Sequence, residues 1–504
     1  MTVRDFGVMD MIVRNAQIHP DREAVVQGSG RLTFGSYLEK CMQLADGFRA
    51  AGAQPGDRIA LLAPNCVDYM LVYGAAALCG MIVVPVNWRL TPEEIQYILH
   101  DSSPVFLMTS PDFYDMTLHA EKRLAAIKSC YILGQEERGD YLPLTGLYGA
   151  AVSPAAIDAD APYVLIYTAA VAGRPRGALL SQANIIALGT SLGVHFNLGP
   201  DDCHLCFLPL FHIAGISVAL AVMQAGGKNV MQEKFDPDQT LDWIEKERGT
   251  IFYSFPPTLD RLIEKQRESG RDISSLRYIG GLNSPETIER FQKIAPQVRF
   301  AVMYGQTEAM AVTNGWYDEK PGSAGQTAAL ACVRIVDETD TEVPVGMAGE
   351  ICVKSPCVFL GYWGLDEQTA WTLRNGWHHS GDMGRLDQQG FLWYTGRMPI
   401  KELIKTGGEN VYPAEVEKVI LEHPAVAEVC VIGVPDVQWG ESIKAVCVLA
   451  DGQSVGESEL IEFVASRLAR YKKPRHVVFV DTLPKSADGT MDRTAIKKAH
   501  GGLY

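Results

Sequence analysis

Residues Tyr163–Gly177 read YVLIYTAAVAGRPRG, an apolar run followed by a loop of small residues and two arginines. The run Val164–Tyr167 predicts a buried β-strand, and Ser181 can cap a helix that begins near Gln182. Backbone N–H groups in a loop of small residues can approach phosphate oxygens, and a basic side chain adds charge. A flexible surface turn would explain these residues equally well. The segment therefore predicts a strand–loop–helix unit and is compatible with a phosphate site.

Apolar runs alternate with amphipathic stretches along most of the chain. Arg58–Leu62 and Met81–Pro85 predict strands, whereas Pro92–His100 and Pro237–Lys246 predict helices. Alternation of this kind favours α/β layers with mixed or parallel sheets. We therefore expect an α/β fold with a large N-terminal domain of mixed sheets and helices.

The pattern changes after the turn-rich block DQQGFLWYTGR, which ends at Arg397. Beyond it, short strands and helices are predicted at Val429–Val434, Ile443–Leu449, His476–Val480, Pro413–Glu422 and Ser458–Ala469. About 100 residues suit a small α+β domain. We expect a large domain over residues 1–397, a hinge at 398–402 and a small, mobile α+β C-terminal domain over 403–504.

The composition limits the classes of function. The net charge of -15 over 504 residues argues against a nucleic-acid-binding surface, because neutralising phosphates needs clustered Lys and Arg. No apolar run reaches the roughly 18 residues of a membrane span. Asp5 and Asp10 fall where a signal peptide would be apolar. The eleven cysteines are scattered without CxxC pairs, which favours reduced thiols in a cytoplasmic protein over disulfides or zinc.

Three further segments contain chemically useful side chains. Tyr304–Glu308 (YGQTE) offers a ring for a base, a hydroxyl for a phosphate and a carboxylate for Mg²⁺, which prefers oxygen ligands. In Trp377–Asp382 (WHHSGD) the acid could accept ribose hydroxyls, whereas adjacent histidines rarely bind one ion and are better explained by packing. In Lys401–Pro413 (KELIKTGGENVYP) two glycines permit close approach to an extended ligand. The plainer explanation is a strand end with an exposed acid for the first segment, packing by polar side chains for the second and a tight glycine turn for the third.

These four segments, in this order, resemble the adenylate-forming superfamily of acyl-CoA synthetases, peptide-synthetase adenylation domains and luciferases. The likeness covers nearly the whole chain and includes Pro209–Gly215 (PLFHIAG), Gly361–Tyr362, Pro435–Glu441 (PDVQWGE) and Tyr471–Pro484 (YKKPRHVVFVDTLP). Eight motifs in order make chance an inadequate explanation. The resemblance implies that a carboxylate attacks the α-phosphate of ATP, giving an acyl-adenylate and pyrophosphate. The small domain then rotates, and the thiol of coenzyme A (CoA) displaces AMP.

The resemblance also implies roles for single residues. Tyr304 would stack on adenine, Thr307 would contact the α-phosphate and Glu308 would hold Mg²⁺. Asp382 and Arg397 would bind the ribose. Further nucleotide contacts would come from Thr168, Arg176, Gly281, Leu282, Asn283 and Gly305.

For the second half-reaction, His212 would lie near the carboxylate or the pantetheine thiol, and Lys401–Glu402 matches the rotation hinge. His212, Thr307, Glu308 and Lys401 are thus the candidate catalytic residues. CoA contacts would come from Gly407, Gly408, Glu409 and Trp439. The acyl pocket would be formed by Phe211, Ile213, Ala214, Gly215, Ala309 and Met310. Since no cation stands there to pair with a second carboxylate, we expect an aromatic, alicyclic or medium-chain monocarboxylic acid.

Two segments depart from the family pattern. The phosphate loop YTSGTTGxPKG has Ala169–Ala172 in place of its hydroxyl-bearing part, leaving Thr168 as the only hydroxyl and Arg176 in place of Lys. In Leu483–Arg493 (LPKSADGTMDR), Thr490 replaces the Lys that bridges carboxylate and α-phosphate. Each hydrogen bond lost to a charged group costs about 1.5–3 kcal/mol. The enzyme could therefore run mainly from acyl-CoA, AMP and pyrophosphate toward ATP, or perform ordinary forward synthesis with altered contacts.

Three other functions remain open on the sequence. The missing Lys and hydroxyls favour a non-catalytic nucleotide or acyl-CoA binding protein; a luciferase-like oxidase and an adenylation domain that feeds a carrier protein are further alternatives. The chain ends at Tyr504 without a carrier module, so free CoA is the expected acceptor. The expected partners are a carboxylic acid, ATP or AMP with Mg²⁺, and CoA. A homodimer is compatible with the sequence, which does not decide the oligomeric state.

Overall fold

The computed structural model describes residues 6–118, 124, 126–151, 156–168, 175–397, 403–485 and 491–502. The α-helices in these ranges are α1 (Val8–Ile18), α2 (Phe34–Ala50), α3 (Val67–Cys79), α4 (Pro92–Ser102), α5 (Tyr114–Thr117), α6 (Gln182–Phe196), α7 (Ile213–Gln224), α8 (Pro237–Glu247), α9 (Thr258–Ser269), α10 (Pro285–Ile294), α11 (Asp366–Thr372), α12 (Pro413–Ile420), α13 (Glu457–Ala465) and α14 (Arg493–His500).

The strands in the same ranges are β1 (Glu23–Gln27), β2 (Gly30–Thr33), β3 (Arg58–Leu62), β4 (Ile82–Pro85), β5 (Phe106–Thr109), β6 (Ser129–Ile132), β7 (Leu142–Pro143), β8 (Pro162–Thr168), β9 (Arg176–Ser181), β10 (Cys203–Cys206), β11 (Lys228–Met231), β12 (Ile251–Ser254), β13 (Tyr278–Gly281), β14 (Arg299–Gln306), β15 (Ala309–Trp316), β16 (Gln326–Thr327), β17 (Cys332–Val336), β18 (Gly349–Lys354), β19 (Gly361–Tyr362), β20 (His378–Leu386), β21 (Leu392–Arg397), β22 (Ile404–Thr406), β23 (Glu409–Val411), β24 (Val426–Asp436), β25 (Gly440–Leu449) and β26 (His476–Phe479).

Two large sheets form the frame of the N-terminal domain. Their strand orders are β16-β15-β14-β13-β12-β10-β11-β1-β2 and β19-β9-β8-β4-β3-β5-β6-β7. The central strands pair in parallel, for example β3 with β4 and β12 with β13. Parallel pairing requires long crossover connections, which are usually helices, and buries both faces of a sheet. This explains why strands such as β4 and β12 consist only of buried residues. The expected α/β class with mixed sheets is confirmed.

Helices packed between the two sheets supply the main core. Every residue of α3 from Tyr69 to Cys79 is buried, which its almost uniformly apolar sequence permits. Leu61 on β3 and Met231 on β11 belong to the same buried cluster as this helix, so one core joins both sheets. The frame brings the carboxyl ends of β8, β12, β13 and β14 to one side, and in α/β sheets ligands bind at such ends.

Local capping explains where several helices begin. Thr91, Asp236 and Ser284 each accept a backbone N–H bond at a helix start, and each is followed by a proline at the first helical position. Ser181 accepts a bond from the Asn184 N–H at 3.1 Å and caps α6. The predicted helix starts at Gln182, Pro92 and Pro237 are therefore confirmed.

A smaller antiparallel sheet, β17-β18-β20-β21, completes the large domain. The C-terminal domain has the sheet β23-β22-β25-β24, with β26 beside β25, and its core includes Val416, Val431 and Ala445. Its three predicted strands are confirmed. The helix predicted to reach Ala469 ends at Ala465, where the Ser466 hydroxyl donates to the Phe463 carbonyl at 2.8 Å and the chain turns.

The exact domain limits stay a prediction, because residues 398–402 of the expected hinge lie outside the described residues. Within the described ranges, no helix is both long and apolar enough to cross a membrane.

Gly47 and Gly193 form a matched pair for testing the tight packing of α2. A Cβ at Gly47 would lie 1.6 Å from the Leu147 carbonyl oxygen, whereas a Cβ at Gly193 in α6 would meet nothing within 4 Å. We expect Gly47→Ala to lower the thermal unfolding midpoint, since overpacking costs about 1–3 kcal/mol. Gly193→Ala should keep or raise the midpoint, because alanine favours helix by about 0.5–1 kcal/mol. Equal midpoints for the two variants would contradict this packing.

Candidate active site

A cavity of about 1550 Å³ lies between the two domains and collects most of the predicted site residues. Those in its wall are Thr168, Arg176, His212, Ile213, Ala214, Gly215, Gly281, Leu282, Tyr304, Gly305, Thr307, Glu308, Met310, Asp382, Arg397, Gly407, Gly408, Glu409 and Trp439. Residues far apart in the chain therefore meet at one site.

Three of the predicted residues that the structure describes do not line the cavity. Asn283 donates its amide to the Ser254 carbonyl and hydroxyl at 3.2 and 2.9 Å, so it braces the loops after β12 and β13. Phe211 is buried and packs under the Arg89 guanidinium at 5.7 Å, behind the cavity wall. Ala309, the first residue of β15, is buried in the same core cluster as Tyr304. Each is a neighbour of the site that supports residues in its wall.

Asp382 is an acid of the cavity with three side-chain partners. The antiparallel pairing of β20 with β21 places it directly opposite Arg397, whose Nε lies 3.2 Å from Oδ1. Oδ2 accepts bonds from the Tyr304 hydroxyl at 2.8 Å and the Gln306 amide at 2.5 Å. Burial lowers the pKa of Arg397, but the Asp382 charge together with the smaller effects of Tyr394 and Tyr412 more than offsets this, so the pKa lies above its usual value. Gln306 has no predicted role, because its position inside YGQTE gives no sign of a partner 76 residues away.

Tyr362 contacts both Glu308, through its hydroxyl, and Arg176, through its ring. The Tyr362 hydroxyl donates to Glu308 Oε1 at 2.8 Å, and the Arg176 guanidinium lies 4.4 Å from the centre of the tyrosine ring. The pairing of β19 with β9 brings Tyr362 close to Arg176. Burial, and then the negative charge of Glu308, raise the pKa of Tyr362 far above its usual value, so the hydroxyl stays a donor. Sequence reasoning noted Tyr362 only as part of a motif and gave it no role.

The arrangement fits a Mg²⁺ ion bound with nucleotide phosphates. Glu308 supplies a carboxylate at the cavity wall that is only 9% exposed, and Tyr362 engages one of its two oxygens. Mg²⁺ sites of this kind use one or two carboxylates together with phosphate oxygens and water. The residues present therefore suit the ion.

The small domain contributes a glycine wall. Gly407 and Gly408 have positive φ angles of +58° and +87°, a region that favours glycine. A Cβ at Gly407 would lie 2.6 Å from the Trp439 ring, and one at Gly408 would lie 3.3 Å from Phe255 of the large domain. The wall therefore leaves a narrow slot that any side chain would close.

Glu409, beside this wall, reaches across to the large domain. Its carboxylate pairs with the Arg89 guanidinium and lies 3.3 Å from His212 Nε2. Burial raises the pKa of Glu409, but His212 and Arg89 lower it to about 2, so the residue is an anion near neutral pH. Arg89 was missed by sequence reasoning, because it belongs to none of the recognised motifs.

Lys472 forms a second ionic contact between the domains. Its side chain is 4% exposed and its Nζ lies 2.6 Å from Glu94 Oε1 on α4 and 2.8 Å from Glu415 Oε2 on α12. Burial lowers the pKa of Lys472, but Glu415 and Glu94 more than offset this and hold it above the usual value. The contact joins the large and small domains at the side of the cavity.

His378 and His379 do not converge on one ion. His378 Nε2 lies 3.4 Å from Gln306 Oε1, whereas His379 Nδ1 lies 2.9 Å from Glu350. His379 also stands within 4.8 Å of Asp340 and Cys352, a group with metal-ligand chemistry. The acids of this cluster already have arginine partners, Arg334 on Asp340 at 2.7 Å and Arg374 on Glu350 at 3.3 Å. We interpret it as a charge-paired structural cluster.

Several predicted positions lie outside the described residues. They are the substituted phosphate loop Ala169–Ala172, the hinge with Lys401 and Glu402, and Thr490. Lys405, just after the hinge, does line the cavity. Sequence reasoning gave Lys405 no role.

Comparisons with known proteins identify the family of the chain. The profile of the family "AMP-binding enzyme" matches residues 12–363, and that of the "AMP-binding enzyme C-terminal domain" matches residues 415–490. A feruloyl-CoA synthase from an Amycolatopsis species is 35% identical over 507 residues, covering 99% of this chain and all of the relative. An indoleacetate–CoA ligase from Aromatoleum aromaticum is 34% identical over 97% of both chains.

Among solved structures, the o-succinylbenzoate CoA synthetase of Bacillus subtilis, bound with a product analogue, has a TM-score of 0.85 at 28% identity. The match covers 98% of each chain, so it includes both domains. The chain therefore belongs to the AMP-binding enzymes, within the adenylate-forming superfamily of AMP-forming carboxylate–CoA ligases.

Proposed function

We propose that this protein joins an aromatic monocarboxylic acid to CoA through an acyl-adenylate, with alicyclic and medium-chain acids as neighbouring candidates. The acid oxygen attacks the α-phosphate of ATP and pyrophosphate leaves; the CoA sulfur then attacks the acyl carbon and AMP leaves. The observation that carries the proposal is one cavity containing Asp382, Glu308 and the glycine wall Gly407–Gly408. The acyl groups named in two relatives, feruloyl and indoleacetate, both contain an aromatic ring.

Asp382 and Arg397 are proposed to hold the ribose. Asp382 Oδ1 accepts no hydrogen bond of acceptable geometry from the described residues, which leaves it available for a ribose hydroxyl. Tyr304 lines the cavity beside them, and its ring is the candidate surface for adenine. Because Tyr304 and Gln306 already donate to Oδ2, the carboxylate is oriented before the nucleotide arrives, and such preorganisation favours binding.

Glu308 is proposed to hold Mg²⁺, and Thr307 to contact the α-phosphate. Bound Mg²⁺ would offset the negative charge that develops on the phosphates as pyrophosphate leaves. Arg176, held against the ring of Tyr362, places a fixed positive charge on the same side of the cavity. The site works by positioning and electrostatic stabilisation and needs no covalent enzyme intermediate.

The acyl group is proposed to lie against Ile213–Gly215 and Met310. These residues line the cavity and are apolar or small, which suits a hydrophobic acyl group. Apolar residues alone would equally be ordinary core. Their position in the wall of the cavity that also holds Glu308 supports the acyl role.

The observed arrangement of the domains suits the CoA step. Gly407 and Gly408 face the cavity and Trp439 closes one side of the slot, as a channel for the extended pantetheine arm requires. His212 stands beside this slot, with Nε2 next to the Glu409 carboxylate. We therefore assign His212 a place near the reacting carbonyl and thiol, oriented by Glu409.

The reaction can run forward, toward acyl-CoA, or in reverse, toward ATP. Thr490 and the alanines of the phosphate loop would weaken adenylation, which favours working from acyl-CoA, AMP and pyrophosphate toward ATP. Asp382, Glu308 and the glycine wall serve either direction. We propose forward synthesis, with the reverse reaction as the alternative that the two substitutions favour. A catalytically impaired binding protein would keep the same contacts without turnover.

Purified full-length protein tests the proposed function. We expect ATP, CoA, Mg²⁺ and one acid from an aromatic panel to give equal amounts of AMP and acyl-CoA, at a rate within the usual range of about 1–10³ per second. ATP formation from the thioester, AMP and pyrophosphate that far exceeds the forward rate would instead favour the reverse role. Binding of AMP or CoA without turnover in either direction would contradict an enzymatic function.

Tyr362→Phe tests whether the hydroxyl positions the carboxylate of Glu308. The variant loses a hydrogen bond to a charged group, typically about 1.5–3 kcal/mol, but keeps the ring under Arg176. We expect a higher Mg²⁺ concentration for half-maximal acyl-adenylate formation, and weaker Mn²⁺ binding with ATP by calorimetry. Reaction of preformed acyl-adenylate with CoA should change little.

The matched control is Tyr167→Phe. This hydroxyl also donates to a carboxylate, that of Asp101 at 2.5 Å, away from Glu308. Its removal should leave the Mg²⁺ requirement unchanged. An unchanged requirement in both variants would show that Tyr362 does not position Glu308.

A further inference from the structure

Asn314 on β15 is a buried side chain whose two polar atoms both lack hydrogen-bond partners in the part of the chain that the structure describes. It is 2% exposed, and neither Nδ2 nor Oδ1 forms a hydrogen bond with a described residue. A buried amide without hydrogen-bond partners destabilises the folded state, so such groups in native proteins normally form hydrogen bonds with protein, water or ligand. A ligand in a cavity next to Asn314 could supply the missing hydrogen-bond partner.

The pairing of β14 with β15 places Asn314 beside Met303, a residue that lines the cavity. Met303 lies directly opposite Asn314 in the antiparallel ladder, so the two side chains share one face of the sheet. Met303 lines the cavity. Asn314 therefore borders the wall of the cavity.

This face of the sheet packs against α6, at the deep end of the acyl region. Trp316, two residues beyond Asn314, lies on the same face and packs against Phe196 with ring centres 5.3 Å apart. Leu192, about one turn before Phe196 on α6, lines the cavity, as does Met310 toward the start of β15. Asn314 thus lies between the cavity-lining methionines and an aromatic block that closes this end.

We propose that Asn314 is the polar end of the acyl pocket and binds a hydroxyl or ring N–H at the end of the acyl group remote from its carboxylate. The amide can donate through Nδ2 and accept through Oδ1, which matches a phenolic hydroxyl that does both. The nearby side chains of Met303, Met310 and Leu192 are apolar and suit a ring. The substrate class is then a hydroxylated aromatic monocarboxylic acid. This inference rests on the proposed function, which supplies the acid.

The test compares acids in pairs that differ only in a para substituent. Wild-type protein is assayed with 4-hydroxybenzoic, 4-hydroxyphenylacetic and 4-hydroxycinnamic acids. It is also assayed with the analogues in which hydrogen or methyl replaces the para hydroxyl. Since a site built to bond a hydroxyl rejects analogues that lack it, we expect kcat/KM to favour the hydroxyl by at least about tenfold in one or more series. Equal kcat/KM within every pair would overturn the proposal.

Asn314→Leu and Asn314→Ser test the residue itself. We expect Asn314→Leu to lose most of the preference for the hydroxyl while keeping or raising kcat/KM for the methyl analogue. Asn314→Ser, which is smaller and still polar, should retain part of the preference and serves if the leucine variant does not fold. An undiminished preference in the variant that folds would overturn the proposal.

Thr313→Val is the matched control on the same strand. Thr313 is fully buried, lies on the other face of the sheet and donates to the Ala324 carbonyl at 2.5 Å. Its replacement should affect stability but leave the preference for the hydroxyl unchanged.

A binding measurement separates this inference from the proposed function. If no acid supports AMP release, the proposed function fails, and the thermal shift given by each pair with AMP still tests Asn314. A larger shift with the hydroxylated acid, lost in Asn314→Leu, would support the pocket. Equal shifts within every pair would overturn it.

Discussion

Two ionic contacts, each with at least one buried partner, hold the small domain against the large one, and the shape of the cavity depends on them. Glu409 pairs with Arg89, and Lys472 lies between Glu94 and Glu415. Buried charges lose so much hydration that they are stable only when paired. A rotation of the small domain has to exchange these partners for others, so the contacts belong to this arrangement. The arrangement presents the glycine wall to the cavity.

Within the large domain, neutral donors orient the acids of the site. Tyr304 donates to Asp382, and Tyr362 donates to Glu308. A hydroxyl donor fixes a carboxylate without cancelling its charge, so the carboxylate can still act on a ribose hydroxyl or a cation. Arg176 and Arg397 add positive charge close to these pairs. The cavity therefore combines oriented anions with cations, as a site for a nucleotide and its metal requires.

The candidate site was predictable where a motif carries its own chemistry. Glu308, Asp382 and the two glycines stand in short segments whose residue types suggest contacts with a metal ion, a ribose and an extended ligand, and the structure brings them together. Arg89 and Lys472 were not predictable, because their partners lie 320 and 378 residues away. Lys472 belongs to a recognised motif, yet nothing in that motif indicates a buried contact with Glu94. Such pairs depend on how the domains meet.

The sequence by itself determined the α/β class, the strands and helices marked by apolar periodicity and capping residues, and the resemblance to a family. These properties follow from interactions between residues close in the chain, or from motifs preserved as short strings. Only the tertiary structure decided that Phe211 and Ala309 stand behind the cavity and that Tyr362 joins Glu308 to Arg176. It also decided that Asn314 is buried without a hydrogen-bond partner among the described residues. The reason is that burial and hydrogen bonding depend on which strands and domains become neighbours, and pairing between distant segments leaves no local pattern.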